Sequence, residues 1–188
     1  YINEFGIEKS LEDFIGMFAF ALYDKKEKKL TLARDRFGEK PLYYGFLDSQ
    51  IVFASELKSI KTLKKFGLTL NQDAMNLMIK LGYIPSPHTI YNNFFKLPPG
   101  TKLEISDKCS SDEISKWWDI NFYINEAKLQ SHEGEFTEIT LHDTLKSVVK
   151  EQMLSDVPIG AFLSGGIDSS LIVSLMQEQS RKKIKTFT

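Results

Sequence analysis

The chain has 188 residues and a formal net charge of −1, and it is 42% hydrophobic and 26% charged, values ordinary for a folded globular protein. So balanced a charge excludes binding nucleic acid by electrostatics alone, which needs clustered Lys and Arg, and no apolar run approaches the ~18 residues of a membrane span. The single cysteine, Cys109, cannot close an internal disulfide, which points to a reducing compartment and a cytoplasmic protein.

In chain order, the first half is expected to be rich in strands. Residues 16–24, GMFAFALYD, are almost continuously apolar, which predicts a strand buried on both faces. The polar residues 25–29 predict a five-residue hairpin loop, and Leu30 and Leu32 then share one face of a partner strand over 30–34. Residues 41–46 and 51–54 predict two more strands, and four in succession argue for one antiparallel sheet. Ser55 is placed to cap a short helix reaching residue 63, whose Lys58, Lys61, Lys64 and Lys65 form a solvated basic face. Asn71 or Asp73 can cap a second helix with Ala74, Leu77, Met78 and Leu81 on one side, ended by Gly82 and the prolines at 85 and 87. Leu97-Pro98-Pro99-Gly100 predicts a rigid turn before a strand over 101–105.

From residue 106 to 136 the composition turns polar around Trp117, Trp118, Phe122 and Tyr123, as in a connection whose aromatics dock on a neighbour. A third helix is expected over 137–155, with Leu141, Leu145, Val148 and Gln152 in one stripe and Val149 and Met153 beside it. The remainder reads strand (157–163), tight loop (164–167), helix (168–181) and strand (from 184), a β-α-β unit that implies a parallel sheet.

The sharpest chemical signal is Leu163-Ser164-Gly165-Gly166-Ile167-Asp168-Ser169-Ser170. A buried strand delivers this segment to the carboxyl edge of a parallel sheet, where ligands of such folds bind. Two glycines allow a tight turn with no Cβ in the way of an anion, and the amides that follow form a nest at a helix N-terminus. Ser164, Ser169 and Ser170 add hydroxyl donors. The pattern describes a phosphate or pyrophosphate cradle. A carboxylate there, Asp168, makes sense if it holds a divalent cation such as Mg²⁺ that bridges to phosphate oxygens; the competing reading is that Asp168 only caps the helix. The loop lacks the Gly-Lys-Ser/Thr of a Walker A motif and the Gly-x-Gly-x-x-Gly of a dinucleotide fold.

Other candidates carry two readings each. Arg34 and Asp35 form a buried ion pair that fixes a turn, or with Glu39 they shape an interdomain face; the structural reading is favoured. Glu56 faces a domain junction, or sits in a first helical turn favoured by the dipole. His88, His132 and His142 have no metal-ligand spacing, Cys109 has no histidine near it in sequence, and Trp117 and Trp118 are expected to pack rather than stack on a ligand.

SGGIDSS resembles the PP-loop of ATP pyrophosphatases, and SDVPIGAFLSGGIDSSLI is similar to the asparagine synthetase version. GMFAFALYD, LARDRFGEKPLYYG, FASELKSI and KLPPG resemble, in the same order, the late part of that family's class II glutamine amidotransferase domain. The resemblance implies α+β followed by α/β: the C-terminal part of an Ntn-hydrolase-type antiparallel glutaminase over 1–118, a linker over 119–136, and over 137–188 the first β-α-β unit of a parallel-sheet PP-loop domain. It implies ATP held by Leu163, Ser164, Gly165, Gly166, Ser169 and Ser170, with Mg²⁺ on Asp168. The implied reaction adenylates aspartate to β-aspartyl-AMP, releases pyrophosphate, and forms asparagine with ammonia that comes from glutamine through an internal tunnel. The implied partners are these small molecules, with no nucleic acid or membrane, and a homodimer is compatible with it. Family relatives amidate other carboxylates such as sugar acids, or close a β-lactam ring; a non-catalytic nucleotide-binding scaffold is a third reading.

Residue 1 is Tyr and the chain stops inside a strand-like pattern, so it is expected to be an internal piece of a longer protein that folds poorly by itself. The family's N-terminal Cys nucleophile, glutamine-binding Arg, Asn-Gly segment and Asp find no counterpart here, so no glutaminase catalytic residue is expected within this sequence.

Overall fold

The computed structural model describes residues 1–47, 50–62, 67–106, 113–129 and 137–188. They form, in order, α1 (Ile2–Asp13), β1 (Ala19–Asp24), β2 (Lys29–Arg34), β3 (Tyr43–Leu47), β4 (Gln50–Ala54), α2 (Leu57–Lys61), α3 (Gln72–Leu81), β5 (Phe94–Lys96), β6 (Thr101–Ser106), β7 (Glu113–Lys116), α4 (Ile120–Leu129), α5 (Glu138–Gln152), β8 (Gly160–Phe162), α6 (Ile167–Glu178) and β9 (Lys185–Phe187). Two compact units divide at residues 126 and 127. Among the described residues no helix is long and apolar enough to cross a membrane.

Among the described residues of the first unit every strand pairing is antiparallel, but the four leading strands do not form one sheet. The order β1-β2-β6-β7 makes one sheet and β4-β3-β5 a second. Leu32 and Leu103 from the first sheet and Tyr44 from the second, with Leu42 and Leu97, bury a shared core, lined at its margin by Phe46 and Ile51. The turn between β2 and β3 is what moves the chain from one sheet to the other. β1 is not buried on both faces as its apolarity predicts. It lies at the sheet's edge, and Ala21 and Tyr23 are exposed. Its hairpin pairs Asp24 with Lys29, so the loop holds four residues rather than five.

The helix caps follow from local chemistry. Asn71, not Asp73, caps α3: its side chain accepts the Ala74 amide at 3.0 Å, and Gly82 ends the helix in the left-handed region at φ 79°. Of the predicted stripe only Ala74 is fully buried, while Met78 and Leu81 remain exposed. α2 spans Leu57–Lys61 with Glu56, not Ser55, at the N-cap position, where its side chain makes no capping bond; Lys58 and Lys61 are solvated, and Lys64 and Lys65 lie outside the described residues. So do Cys109 and His132. Within the polar stretch, residues 113–129 include β7, which extends the first sheet, and α4, which follows it.

In the second unit β8 and β9 pair in parallel across α6, the β-α-β arrangement the pattern predicts. Thr137 caps α5 through the Thr140 amide and Thr140 reciprocates, a capping box. The stripe that α5 buries is Leu145, Val149 and Met153, packed on Leu175 and Met176 of α6 with Ile159, Ala161 and Ile184. Leu141 and Val148, expected to face inward, are exposed. β8 is shorter than the expected 157–163, and it is not a buried strand: Phe162 is 86% exposed.

Candidate functional site

Two places concentrate polar groups on the backbone. In the first unit the turn after β2 is built around Arg34 and Asp35, both buried. Asp35 accepts four backbone amides: Phe18 at 3.3 Å, Phe37 at 3.2 Å, Glu39 at 2.9 Å and Lys40 at 3.0 Å. Burial pushes its carboxyl up, but these donors prevail and hold it below the ordinary carboxylate value. Arg34 donates to the carbonyls of Lys40 at 2.7 Å, Leu97 at 2.6 Å and Gly38 at 2.5 Å, and burial lowers its pKa despite the neighbouring Asp35. The expected Arg34–Asp35 ion pair is replaced by two sets of backbone bonds, one to each side chain. Glu39 is exposed on this turn. Glu56 stands before α2 and pairs with Lys58 at 2.5 Å, so it is not in a first helical turn.

Aromatics brace the same region. Trp117 stacks on Phe18 with ring centroids 5.9 Å apart, lies 5.2 Å from the Arg36 guanidinium and donates its indole N–H to the Arg34 carbonyl at 3.3 Å. Trp118 meets Phe37 edge-on at 5.1 Å. Both tryptophans pack, as expected.

The second place is the loop from β8 to α6. Leu163 continues the ladder, donating to the Phe187 carbonyl at 2.8 Å. Gly165 then turns the chain at φ 81°, a conformation that excludes ordinary side chains. Gly166 is the N-cap, so Asp168 is not. Asp168 is exposed in the first turn of α6, and the reading of it as a helix cap is removed. The amides of Ile167, Asp168 and Ser169 precede the first helical acceptor bond, Ser170 N–H to Gly166 O at 3.1 Å. The hydroxyls of Ser164 and Ser169 stand 3.1 Å apart, and Ser169 and Ser170 reach the Gly166 carbonyl at 3.2 and 2.8 Å. A Cβ at Gly166 would lie 3.6 Å from Ser164 Oγ and 4.0 Å from Ser169 Oγ, within the mouth of the loop.

The loop therefore brings the Ser164 and Ser169 hydroxyls together beside Gly166, with Ser170 bonded to the Gly166 carbonyl and Leu163 at its root. The sequence reading passed over Gly160. A Cβ there would come 2.5 Å from the Phe187 ring and 3.1 Å from the Lys185 carbonyl, so any side chain would push that ring aside where β9 pairs with β8. A glycine inside a strand pattern is the signal that marks such an approach. His88 is exposed, and His142 sits 3.2 Å from Asp143 and 3.8 Å from Glu178, away from the loop in sequence.

Antiparallel sheets in the first unit and a glycine-rich β-α-β loop in the second make a two-part chain. Residues 1–118 match the glutamine amidotransferase domain and residues 140–188 match asparagine synthase. The chain belongs to the glutamine amidotransferase domain family, and its last quarter carries the asparagine synthase match. It is 40% identical over 193 residues to the putative glutamine-hydrolyzing asparagine synthetase 2 of Methanocaldococcus jannaschii, covering 99% of this chain and 36% of that protein. It is 35% identical to glutamine-hydrolyzing asparagine synthetase 1 of Bacillus subtilis, covering 96% and 27%. It is 32% identical to amidase chry2 of Gibberella zeae, covering 90% and 24%. The chain thus spans between 24 and 36% of the length of these relatives.

Proposed function

We propose that the chain is part of a glutamine-dependent asparagine synthetase, which amidates aspartate at the expense of ATP through β-aspartyl-AMP and releases AMP and pyrophosphate. Residues 1–118 are then the C-terminal part of an N-terminal-nucleophile glutaminase, 119–136 the connection, and 137–188 the opening of a PP-loop domain. The observation that carries this reading is the loop from Ser164 to Ser170. Its free amides, its hydroxyls and its unobstructed Gly166 offer donors to the pyrophosphate portion of ATP.

Leu163, Ser164, Gly165, Gly166, Ser169 and Ser170 form the nucleotide site. Asp168 suits Mg²⁺ that arrives with the nucleotide, since that ion keeps waters and phosphate oxygens and takes one or two carboxylates. Among the described residues no group of three or more His, Cys, Asp or Glu side chains gathers to hold a metal unaided. Held there, the ion would supply neutralisation of the charge on the leaving pyrophosphate. The loop's amides and hydroxyls act on the same charge from the protein side.

The test is product analysis of the intact gene product with ATP, Mg²⁺, aspartate and glutamine or ammonia. Asparagine, AMP and pyrophosphate are expected in equal amounts, and Asp168→Asn should abolish their formation. ATP-dependent synthesis that survives Asp168→Asn would remove the cation role. A second reading is a related amidotransferase with another carboxylate acceptor such as a sugar acid; one relative carries an amidase name rather than a synthetase one. Pyrophosphate release triggered by that acceptor and not by aspartate would establish it; nucleotide binding without turnover of any acceptor would leave a non-catalytic scaffold.

A further inference from the structure

The loop carries two adjacent serines, and their hydrogen bonds differ. The Gly166 carbonyl accepts from Ser170 N at 3.1 Å, Ser170 Oγ at 2.8 Å and Ser169 Oγ at 3.2 Å. Ser169 Oγ is also 3.1 Å from Ser164 Oγ. A serine hydroxyl has one proton and can accept as well as donate. Ser164 and Ser169 can therefore trade the donor role, and either can turn its proton toward an arriving oxyanion. Both also border the space in front of Gly166, whereas Ser170 does not come within 4 Å of it. Ser170 has the shortest bond of the group, and that bond is to the Gly166 carbonyl. Carbonyl 166 and the N–H of Ile167 belong to one planar trans peptide and point in opposite directions. Fixing the carbonyl toward the helix fixes that N–H away from it, into the loop.

We propose that Ser170 is a positioning residue: it holds the Gly166–Ile167 peptide so that the Ile167 amide faces the bound phosphate, while Ser164 and Ser169 contact it. The assignment rests on the nucleotide reading of the loop. It separates two serines that the sequence pattern treats alike.

The test uses the intact gene product labelled with ¹⁵N-isoleucine. The Ile167 amide is assigned by its disappearance in Ile167→Val, a tolerated change because the side chain is 87% exposed. Ser170→Ala should shift this resonance in nucleotide-free protein and raise the KM for ATP about tenfold, the scale of one lost hydrogen bond. Ser170→Thr keeps the hydroxyl and should restore both. A raised KM with an unmoved Ile167 amide would make Ser170 a direct ligand and overturn the proposal. So would a shifted amide with unchanged KM, or no rescue by Thr. An unmoved amide in protein that binds ATP overturns this assignment alone, whereas wild-type protein that fails to bind ATP in calorimetry overturns the nucleotide reading and the assignment with it.

Discussion

Arg34 and Asp35 hold one residue from both ends: Arg34 Nε donates to the Lys40 carbonyl at 2.7 Å, and Asp35 Oδ2 accepts the Lys40 amide at 3.0 Å. Two opposite charges, neighbours in sequence and both buried, spend themselves on backbone rather than on each other. The turn they close redirects the chain from the first sheet of the amidotransferase unit to the second.

Asp35→Asn should therefore destabilise the protein by about 3 kcal/mol, since one amide oxygen cannot serve four donors and the new NH₂ opposes two of them. Urea unfolding of the intact gene product checks this. A change below half that size would show that water replaces the lost acceptor.

The same carboxylate predicts a pH dependence. Its pKa is depressed in the folded protein below the ordinary 3.8. Its contribution is then fully present above about pH 4 and is lost as pH falls through the lower folded value. The stability gap between wild type and Asp35→Asn should stay constant from pH 7 to 5 and narrow below 4. A gap that narrows between pH 7 and 5 would contradict the depressed pKa.

The two loop glycines should behave differently. Gly165→Ala meets open space but needs φ 81°, so it should cost about 1 kcal/mol of stability as well as nucleotide affinity. Gly166→Ala has no such backbone demand and should fold like wild type while binding ATP at least tenfold more weakly, because its methyl group occupies the mouth of the loop. Thermal melts beside calorimetric titration with ATP separate the two. Equal affinity in Gly166→Ala and wild type would place the phosphates elsewhere.

On α5, Val149→Ala should cost about 2 kcal/mol and Val148→Ala less than about 0.5, because only Val149 is buried against Leu175. Denaturation midpoints of the two variants decide it, and comparable losses would mean that the exposed face is covered in the intact protein.

That last comparison shows where sequence reasoning runs out. Leu141, Leu145, Val148 and Gln152 satisfy the helical spacing as well as Leu145, Val149 and Met153 do, and only the position of α6 selects between them. Capping was legible at Asn71 and Gly82 because it is settled within one helical turn. The β-α-β order and the turn at Gly165 were legible for the same local reason. α1 was not, since Gly6 interrupts it at φ 78° and its apolar residues form no continuous stripe. The splitting of the strands into two sheets was not either, because the pairing of β2 with β6 joins residues about 70 positions apart. At the loop, residue types predict an anion site, but the different hydrogen bonds of Ser169 and Ser170 depend on hydroxyl placements that no spacing encodes.

The placement of Trp117 makes the chain its own optical probe. Both of its tryptophans are adjacent, at 117 and 118, and the first packs on both the Phe18 ring and the Arg36 guanidinium. Indole emission from this sequence therefore reports from one spot, the place where the backbone leaves the β7 edge for α4. A ligand or a neighbouring domain that loosens that exit is expected to change the colour and intensity of this emission.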